Sequence, residues 1–290
     1  MFKLPTPINP IYPERWEEWG MSLFLKRDDL IHELVSGNKW RKLKPILDYA
    51  AANKVSVLES MGGAYSNHLL ALAVVAKAYG FRARGFVRGE EVNNPVLSLC
   101  KAQGMELEFI SRTQTRQWRS ERNELELMHN QLWIPEGAAC ELGRSGMQSL
   151  WLELKEEFSD VVDCVGSGTS VMGLAQFKPE NTRLHAVMCV KDKGLADKLS
   201  DGGMEVHRGF ERGGFAKVDH ELIQACADFE LDTGILLDPI YTSKMWLAVL
   251  DLIQKGYFPK GSKVLMVHSG GLQGWLGDGL MQNLMLLKRA

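Results

Sequence analysis

Short apolar runs alternate with longer segments of helical periodicity along most of the chain, and glycine-rich turns separate many of them. The runs predict strands at residues 55–58, 83–87, 106–110, 132–134, 161–165, 184–190, 205–206 and 264–268. Helices are predicted between them, including one over residues 114–130 and one over 147–158. Strands that alternate with helices are typical of a parallel α/β sheet.

This alternation falls into two series, which predicts two open, twisted, mostly parallel sheets flanked by helices. We expect residues 1–48 and 152–290 to form a larger domain that binds a cofactor. Residues 49–151 would form a smaller α/β domain inserted into it. A cleft between two such domains is a common place for a ligand to bind.

Composition narrows the classes of partner. Lys and Arg number 34 against 36 Asp and Glu, and a balance this close to neutral does not favour a dedicated nucleic-acid-binding protein. The longest clean apolar run, residues 69–76, is far shorter than the ~20 residues that cross a bilayer, so we expect no membrane segment. The five cysteines are widely spaced without a C-x-x-C pair, which favours reduced thiols in a cytoplasmic protein and no metal site.

The segment at residues 36–44 carries a lysine with candidate chemistry. Lys39 would lie near the start of a helix, where the positive end of the helix dipole disfavours an ammonium group. Arg41, Lys42 and Lys44 add further positive charge. A neutral lysine amine is the form that makes a Schiff base. The alternative interpretation is a solvated basic face of a helix.

Two turns between a strand and a helix are candidate anion sites. Residues 59–68 end on Ser66, Asn67 and His68, and residues 166–170 are all glycine, serine or threonine. Free N–H groups at the start of a helix bind carboxylates and phosphates. The alternative interpretations are an ordinary helix cap for Ser66 or Asn67, a packing role for His68 and a tight turn for the second segment.

Two further segments lie late in the chain. Tyr241 and Thr242 precede a predicted helix, where an ordinary cap is the alternative interpretation. The segment 268–271 follows a predicted strand, at the carboxyl edge where ligands gather in parallel sheets. A plain glycine turn is the alternative there.

The order of these segments resembles the pyridoxal-phosphate-dependent enzymes of fold type II, the tryptophan-synthase-β type. Within that group the chain is similar to the branch of D-cysteine desulfhydrase and aminocyclopropanecarboxylate deaminase. Residues 26–30, 36–42, 66–68 and 268–271 carry the resemblance. It implies a two-domain fold, pyridoxal 5′-phosphate as cofactor, a small amino-acid substrate and a homodimer.

The resemblance also assigns roles to residues. Those assigned to the cofactor are Lys39, Asn67, Gly166, Ser167, Gly168, Thr169, Ser170, Thr242 and Ser269. Those assigned to the substrate are Ser66, Asn67, His68 and Tyr241. Lys39 would form the Schiff base, and Ser66 and Tyr241 would act beside it in catalysis. The phosphate would bind at residues 166–170, and Asn67 would contact the ring hydroxyl.

Two positions favour one activity within the branch. Deaminases of the family carry Glu and Leu where this chain has Thr242 and Ser269, whereas desulfhydrases carry small hydroxyl residues. A hydroxyl partner would leave the pyridine nitrogen unprotonated, which suits β-elimination from D-cysteine to pyruvate, ammonia and sulfide. The alternatives are opening of a cyclopropane ring and a non-catalytic phosphate-binding protein. Phe215 stands where the family usually has a second tyrosine.

Overall fold

The strands form two sheets in the computed structural model, which describes residues 2–277 and 279–287. The strands are β1 Ile8–Pro10, β2 Ser22–Lys26, β3 Val57–Gly62, β4 Arg82–Arg88, β5 Met105–Ile110, β6 Glu126–Met128, β7 Gln131–Ile134, β8 Asp160–Val165, β9 Arg183–Met188, β10 Glu205–His207 and β11 Lys263–Val267. The larger sheet has the order β1-β2-β11-β8-β9-β10, and the smaller has the order β5-β4-β3-β7-β6. Neighbouring strands are parallel except for the edge pairs β1–β2 and β6–β7.

Helices connect and cover the strands. They are α1 Trp16–Trp19, α2 Gly37–Ala52, α3 Asn67–Tyr79, α4 Pro95–Ala102, α5 Arg112–Glu121, α6 Glu141–Ser145, α7 Gln148–Glu153, α8 Thr169–Gln176, α9 Lys193–Asp201, α10 His220–Thr233, α11 Thr242–Gln254 and α12 Leu280–Leu287. Strands β3 and β8 are buried at every position. Helices bury both faces of a parallel sheet, and the sequences of its strands are therefore mostly apolar.

The predicted fold class, two mostly parallel sheets flanked by helices, is confirmed. Strands from residues 8–26 and from residues 160–267 share the larger sheet, while residues 57–134 supply the smaller one. The domain limits themselves stay a prediction. Strands β1 and β2 were not predicted from the sequence. None of the helices in residues 2–277 and 279–287 is long and apolar enough to cross a membrane.

The predicted helix over residues 114–130 was wrong in its second half. Helix α5 ends at Glu121, and the indole N–H of Trp133 donates to the carbonyl of Arg122 at 2.9 Å. The following residues pair with β7 as the antiparallel strand β6. Pairing at the sheet edge therefore replaced the local preference for helix. The helix predicted over 147–158 likewise ends early, at Glu153.

Candidate active site

Lys39 lies in the first turn of α2, next to the end of β11. The N–H of Gly37 donates to the carbonyl of Ser269 at 2.7 Å, which joins the lysine segment to the 268–271 segment. A side chain at Gly37 would meet the backbone of Asp28 at 2.5 Å, so only glycine fits this approach. Gly37 therefore allows the start of α2 to pack against the 268–271 segment, and this packing positions Lys39 two residues later.

The amine of Lys39 is favoured in its neutral form. Burial lowers the pKa of Lys39, although the nearby Cys164 and Asp163 act in the opposite direction. The predicted direction agrees with the structure, but the physical cause differs. The predicted causes were the helix dipole and cationic neighbours, whereas removal from water makes the largest contribution to the lowered pKa of Lys39.

The interpretation of residues 36–44 as a solvated basic face is wrong for two of its cations. Arg41 is 2% exposed and binds Asp28 with both Nε, at 2.6 Å, and Nη2, at 2.7 Å. Its Nη1 donates to Glu153 at 2.9 Å. Lys42 is 1% exposed, and burial and the nearby Lys39 hold the pKa of Lys42 well below its usual value. This face of α2 therefore points into the protein.

The start of α3 presents the predicted serine, asparagine and histidine. Ser66 caps the helix by accepting the N–H of Leu69 at 3.2 Å. The side-chain amide of Asn67 lies beside Gly271, where a Cβ would be 3.3 Å from Nδ2. His68 is buried, its Nε2 is 2.8 Å from the hydroxyl of Ser60, and its Nδ1 has no partner in the described chain.

His68 faces the lysines of α2. Burial and the charges of Lys39 and Lys42 hold the pKa of His68 well below its usual value, so the imidazole is neutral. A neutral histidine does not compete with Lys39 for a proton. His68 is therefore a buried residue near the lysines of α2, and its contact with substrate stays a prediction.

Residues 166–170 form an uncapped helix start. Gly168 has a φ of 79° and precedes α8, whose first turn has no side-chain cap. Thr169 and Ser170 are buried, and the hydroxyls of Ser167 and Thr169 are 3.0 Å apart. Free N–H groups and hydroxyls at a helix start match the donors that a phosphate requires.

Tyr241 lies beside the 166–170 turn. A Cβ on Gly166 would be 3.0 Å from the Tyr241 ring, so the absent side chain leaves room for the phenol. Asp238 is fully buried and accepts the N–H groups of Ile240, Tyr241 and Thr242. This carboxylate therefore holds the segment that carries the phenol.

The two hydroxyl residues assigned to the cofactor differ in their surroundings. The hydroxyl of Thr242 donates to Asp238 at 2.6 Å and accepts the Asp238 N–H at 2.8 Å. Ser269 is 5% exposed, its carbonyl accepts the N–H of Gly37 at 2.7 Å, and its side chain lies beside the thiol of Cys164, which is close enough to Lys39 to raise the lysine's pKa. Ser269 is thus the hydroxyl within reach of the lysine site, while Thr242 supports the backbone.

Asp163 and Cys164 were missed by the sequence analysis. Both lie at the carboxyl end of β8, and Asp163 accepts the Cys164 N–H at 2.9 Å through Oδ1. Its Oδ2 is buried without a partner in the described chain. An acidic residue inside the apolar run of residues 161–165 was the available signal. Within residues 2–277 and 279–287, no group of His, Cys, Asp and Glu side chains is arranged to bind a metal ion.

These residues fit pyridoxal phosphate. Burial lowers the pKa of the Lys39 amine, the start of α8 offers uncapped donors, and the buried Nδ1 of His68 and Oδ2 of Asp163 lack partners among the described residues. Asn67 makes no side-chain hydrogen bond within the described chain and lies at the 268–271 segment. The predicted segments thus converge at the carboxyl ends of β8 and β11. Their individual roles stay predictions.

Comparison with known proteins defines the class. The sequence pattern of the pyridoxal-phosphate-dependent enzymes matches residues 2–270, and the chain belongs to that family. The predicted family, cofactor and enzyme class, a pyridoxal-phosphate-dependent lyase, are confirmed by this match and by the relatives that follow.

Several individual proteins are similar over most of their length. The 1-aminocyclopropane-1-carboxylate deaminase of Rhizobium rhizogenes is 27% identical over 93% of this chain and 94% of its own. The bifunctional D-cysteine desulfhydrase/1-aminocyclopropane-1-carboxylate deaminase of Arabidopsis thaliana is 26% identical over 93% of this chain and 77% of its own. The crystal structure of a deaminase homologue covers 97% of this chain and 94% of its own at 25% identity, with a TM-score of 0.79.

Proposed function

We propose that the chain catalyses pyridoxal-phosphate-dependent β-elimination from D-cysteine or a related small amino acid, giving pyruvate, ammonia and sulfide. The supporting observation is a buried hydroxyl, that of Ser269, beside the lysine site. The buried carboxylate of Asp238, on the same side, already accepts four hydrogen bonds from residues 240–242. A hydroxyl partner favours an unprotonated pyridine nitrogen in the cofactor. This suits β-elimination, because the sulfide leaves Cβ with the bonding electron pair.

The bound cofactor would supply the electron sink for the carbanion formed at Cα. Lys39, whose neutral form is favoured by burial, would accept the α-proton. Ser66 and the N–H groups at the start of α3 would bind the substrate carboxylate. The phenol of Tyr241, held by Asp238, would lie at the substrate side of the ring and assist the proton transfer.

The pKa of the Tyr241 phenol supports a role as a hydrogen-bond donor rather than a base. Burial raises the pKa of Tyr241, and the nearby carboxylate of Asp238 raises it further. The phenol therefore keeps its proton at neutral pH. A protonated hydroxyl can hydrogen-bond the departing sulfur or the substrate nitrogen.

Ring opening of 1-aminocyclopropane-1-carboxylate is the second candidate. The names of the relatives in Rhizobium rhizogenes and Arabidopsis thaliana favour it. Ring opening would use the same lysine and phosphate site, but it would require the pyridine ring of the cofactor to be a stronger electron sink. The Arabidopsis relative combines both activities in its name, so the two candidates are compatible with one scaffold.

The test is a panel of D- and L-amino acids with the loaded enzyme, read as 2-oxo acid and sulfide. We expect pyruvate and sulfide from D-cysteine in equal amounts, and none from a Lys39→Ala variant. Turnover of 1-aminocyclopropane-1-carboxylate to 2-oxobutyrate without turnover of D-cysteine would replace our first candidate by the second. No turnover of either would contradict both.

A homodimer in the cytoplasm, with the domain limits given above, completes the proposal. The resemblance to the family supports the dimer. The five cysteines are all buried and free, which supports a reducing compartment. Size-exclusion chromatography with light scattering tests the assembly: a monomer mass at working concentration would contradict it.

A further inference from the structure

Lys244 is a fully buried lysine that makes no ion pair within the described residues. It lies in the first turn of α11, and its Nζ donates to the carbonyls of Cys189 at 3.2 Å, Glu211 at 2.9 Å and Gly214 at 2.9 Å. The three N–H bonds of an ammonium group are thus matched by three acceptors. Two of these belong to residues 208–217, which we call the 208–217 loop.

The 208–217 loop combines two backbone turns of its own with strained positions: the N–H groups of Gly214 and Lys217 donate to the carbonyls of Glu211 at 2.8 Å and Gly214 at 3.3 Å. Arg212 and Ala216 have left-handed φ values of 46° and 55°, which side chains other than glycine rarely adopt. Gly213 and Gly214 also have positive φ, at 85° and 113°. Strained residues of this kind persist when surrounding contacts over-determine them. The bonds from Lys244 add contacts from outside the loop, at the carbonyls on either side of Arg212 and Gly213.

The loop carries Phe215 to the candidate active site. The ring of Phe215 is 58% exposed, and its centre is 6.4 Å from the ring of Tyr241. Tyr241 in turn lies against Gly166 of the phosphate turn. Lys244 follows Tyr241 by three residues, so one lysine links the start of α11, which Tyr241 directly precedes, to the loop that bears the phenylalanine.

We propose that Lys244 is a positioning residue for substrate specificity. By holding the carbonyls of Glu211 and Gly214, it keeps Phe215 beside Tyr241, and the two rings limit the room for the side chain of the substrate. The assignment rests on the proposed function, because it treats Tyr241 as part of the substrate pocket. The paired rings form one wall of the pocket, so a small β-substituent is accommodated beside them, and a large one collides with Phe215.

The kinetic test compares Lys244→Met with the parent enzyme on D-cysteine and on S-benzyl-D-cysteine. Met keeps the length of the side chain but cannot donate to the three carbonyls. We expect KM for D-cysteine to rise roughly tenfold while kcat changes much less, since the loop affects binding rather than proton transfer. The preference for D-cysteine over the benzyl compound should fall roughly tenfold. Unchanged KM and unchanged preference would overturn the proposal.

A second readout does not depend on the reaction. Trypsin can cut the loop after Arg212 and Lys217, and a released loop should be cut roughly tenfold faster in Lys244→Met. The matched control is Lys191→Met, an exposed lysine whose side chain would lie 3.9 Å from a Cβ on Gly214 and does not bond the carbonyl of that residue. We expect this control to behave as the parent in both assays. Equal cleavage of the Lys244 variant and the parent would overturn the loop assignment.

Two outcomes separate this inference from the proposed function. In one outcome, the parent enzyme turns over neither cysteine compound while trypsin still cuts the loop faster in Lys244→Met than in the parent. In that case the loop assignment stands and the substrate proposal fails. If Lys244→Met does not fold, Gly214→Ala replaces it, because a methyl group at a φ of 113° strains the same loop without touching α11. That variant should show the same loss of preference, and parent-like preference would overturn the proposal.

Discussion

Asp163→Asn is expected to stabilise the protein at alkaline pH and to have no effect at acid pH. Asp163 is 1% exposed, and its Oδ2 has no partner in the described chain. Burial raises the pKa of Asp163 to about 7, despite the opposing effects of the Cys164 N–H, Lys42 and Lys39; Asp28 adds to the rise. Asn keeps the shape and the Oδ1 acceptor but carries no charge.

The magnitude follows from the difference in pKa between the folded and unfolded states. An ordinary aspartate has a pKa of 3.8, so between about pH 4 and pH 7 the folded protein holds a proton that the unfolded chain has lost. Stability therefore falls as pH rises through this window. A tenfold change in acidity corresponds to about 1.4 kcal/mol, so the full penalty is on the order of 4 kcal/mol above pH 7.

The assay is urea unfolding of both proteins from pH 4 to pH 8.5 at a fixed pyridoxal phosphate concentration. The advantage of the Asn variant should be near zero at pH 4, grow with pH and level off above pH 7, with an unchanged dependence on urea. Asp197→Asn, at an exposed ion pair with Arg208, is the matched control and should change stability by less than about 1 kcal/mol. A difference that does not vary with pH would refute the reasoning.

Three further predictions concern the α2 and α3 segments. Lys39→Ala should abolish the yellow Schiff-base absorbance after pyridoxal phosphate is added; retained colour would exclude Lys39 as the attachment point. Arg41→Met leaves the buried Asp28 without its guanidinium and should lower the free energy of unfolding by about 3–5 kcal/mol, measured in urea. Lys44→Met, at an exposed ion pair, is its control and should cost less than about 1 kcal/mol. Ser66→Ala should raise KM roughly tenfold and lower stability by about 1 kcal/mol through loss of the α3 cap, and an unchanged KM would contradict its carboxylate role.

Much of the site could be predicted from the sequence because its parts are local. Glycines at strand ends, hydroxyl residues at helix starts and the lysine at residue 39 each fall within a few positions of the element that presents them. Parallel strands bring their carboxyl ends to one edge, so motifs distant in sequence become neighbours without further information. The contacts between Gly37 and Ser269, and between Gly271 and Asn67, are examples.

The sequence by itself determined the alternation of strands and helices, the order of the motifs and hence the family. Only the tertiary structure decided which charged groups are buried and which groups surround them. Arg41 can be buried because Asp28 and Glu153, which are 13 and 112 residues away, bind its guanidinium. Lys244 can be buried because carbonyls up to 55 residues away accept its hydrogen bonds. Local patterns report which segments fold into elements, whereas the energy of a buried charge depends on every group that the fold brings around it.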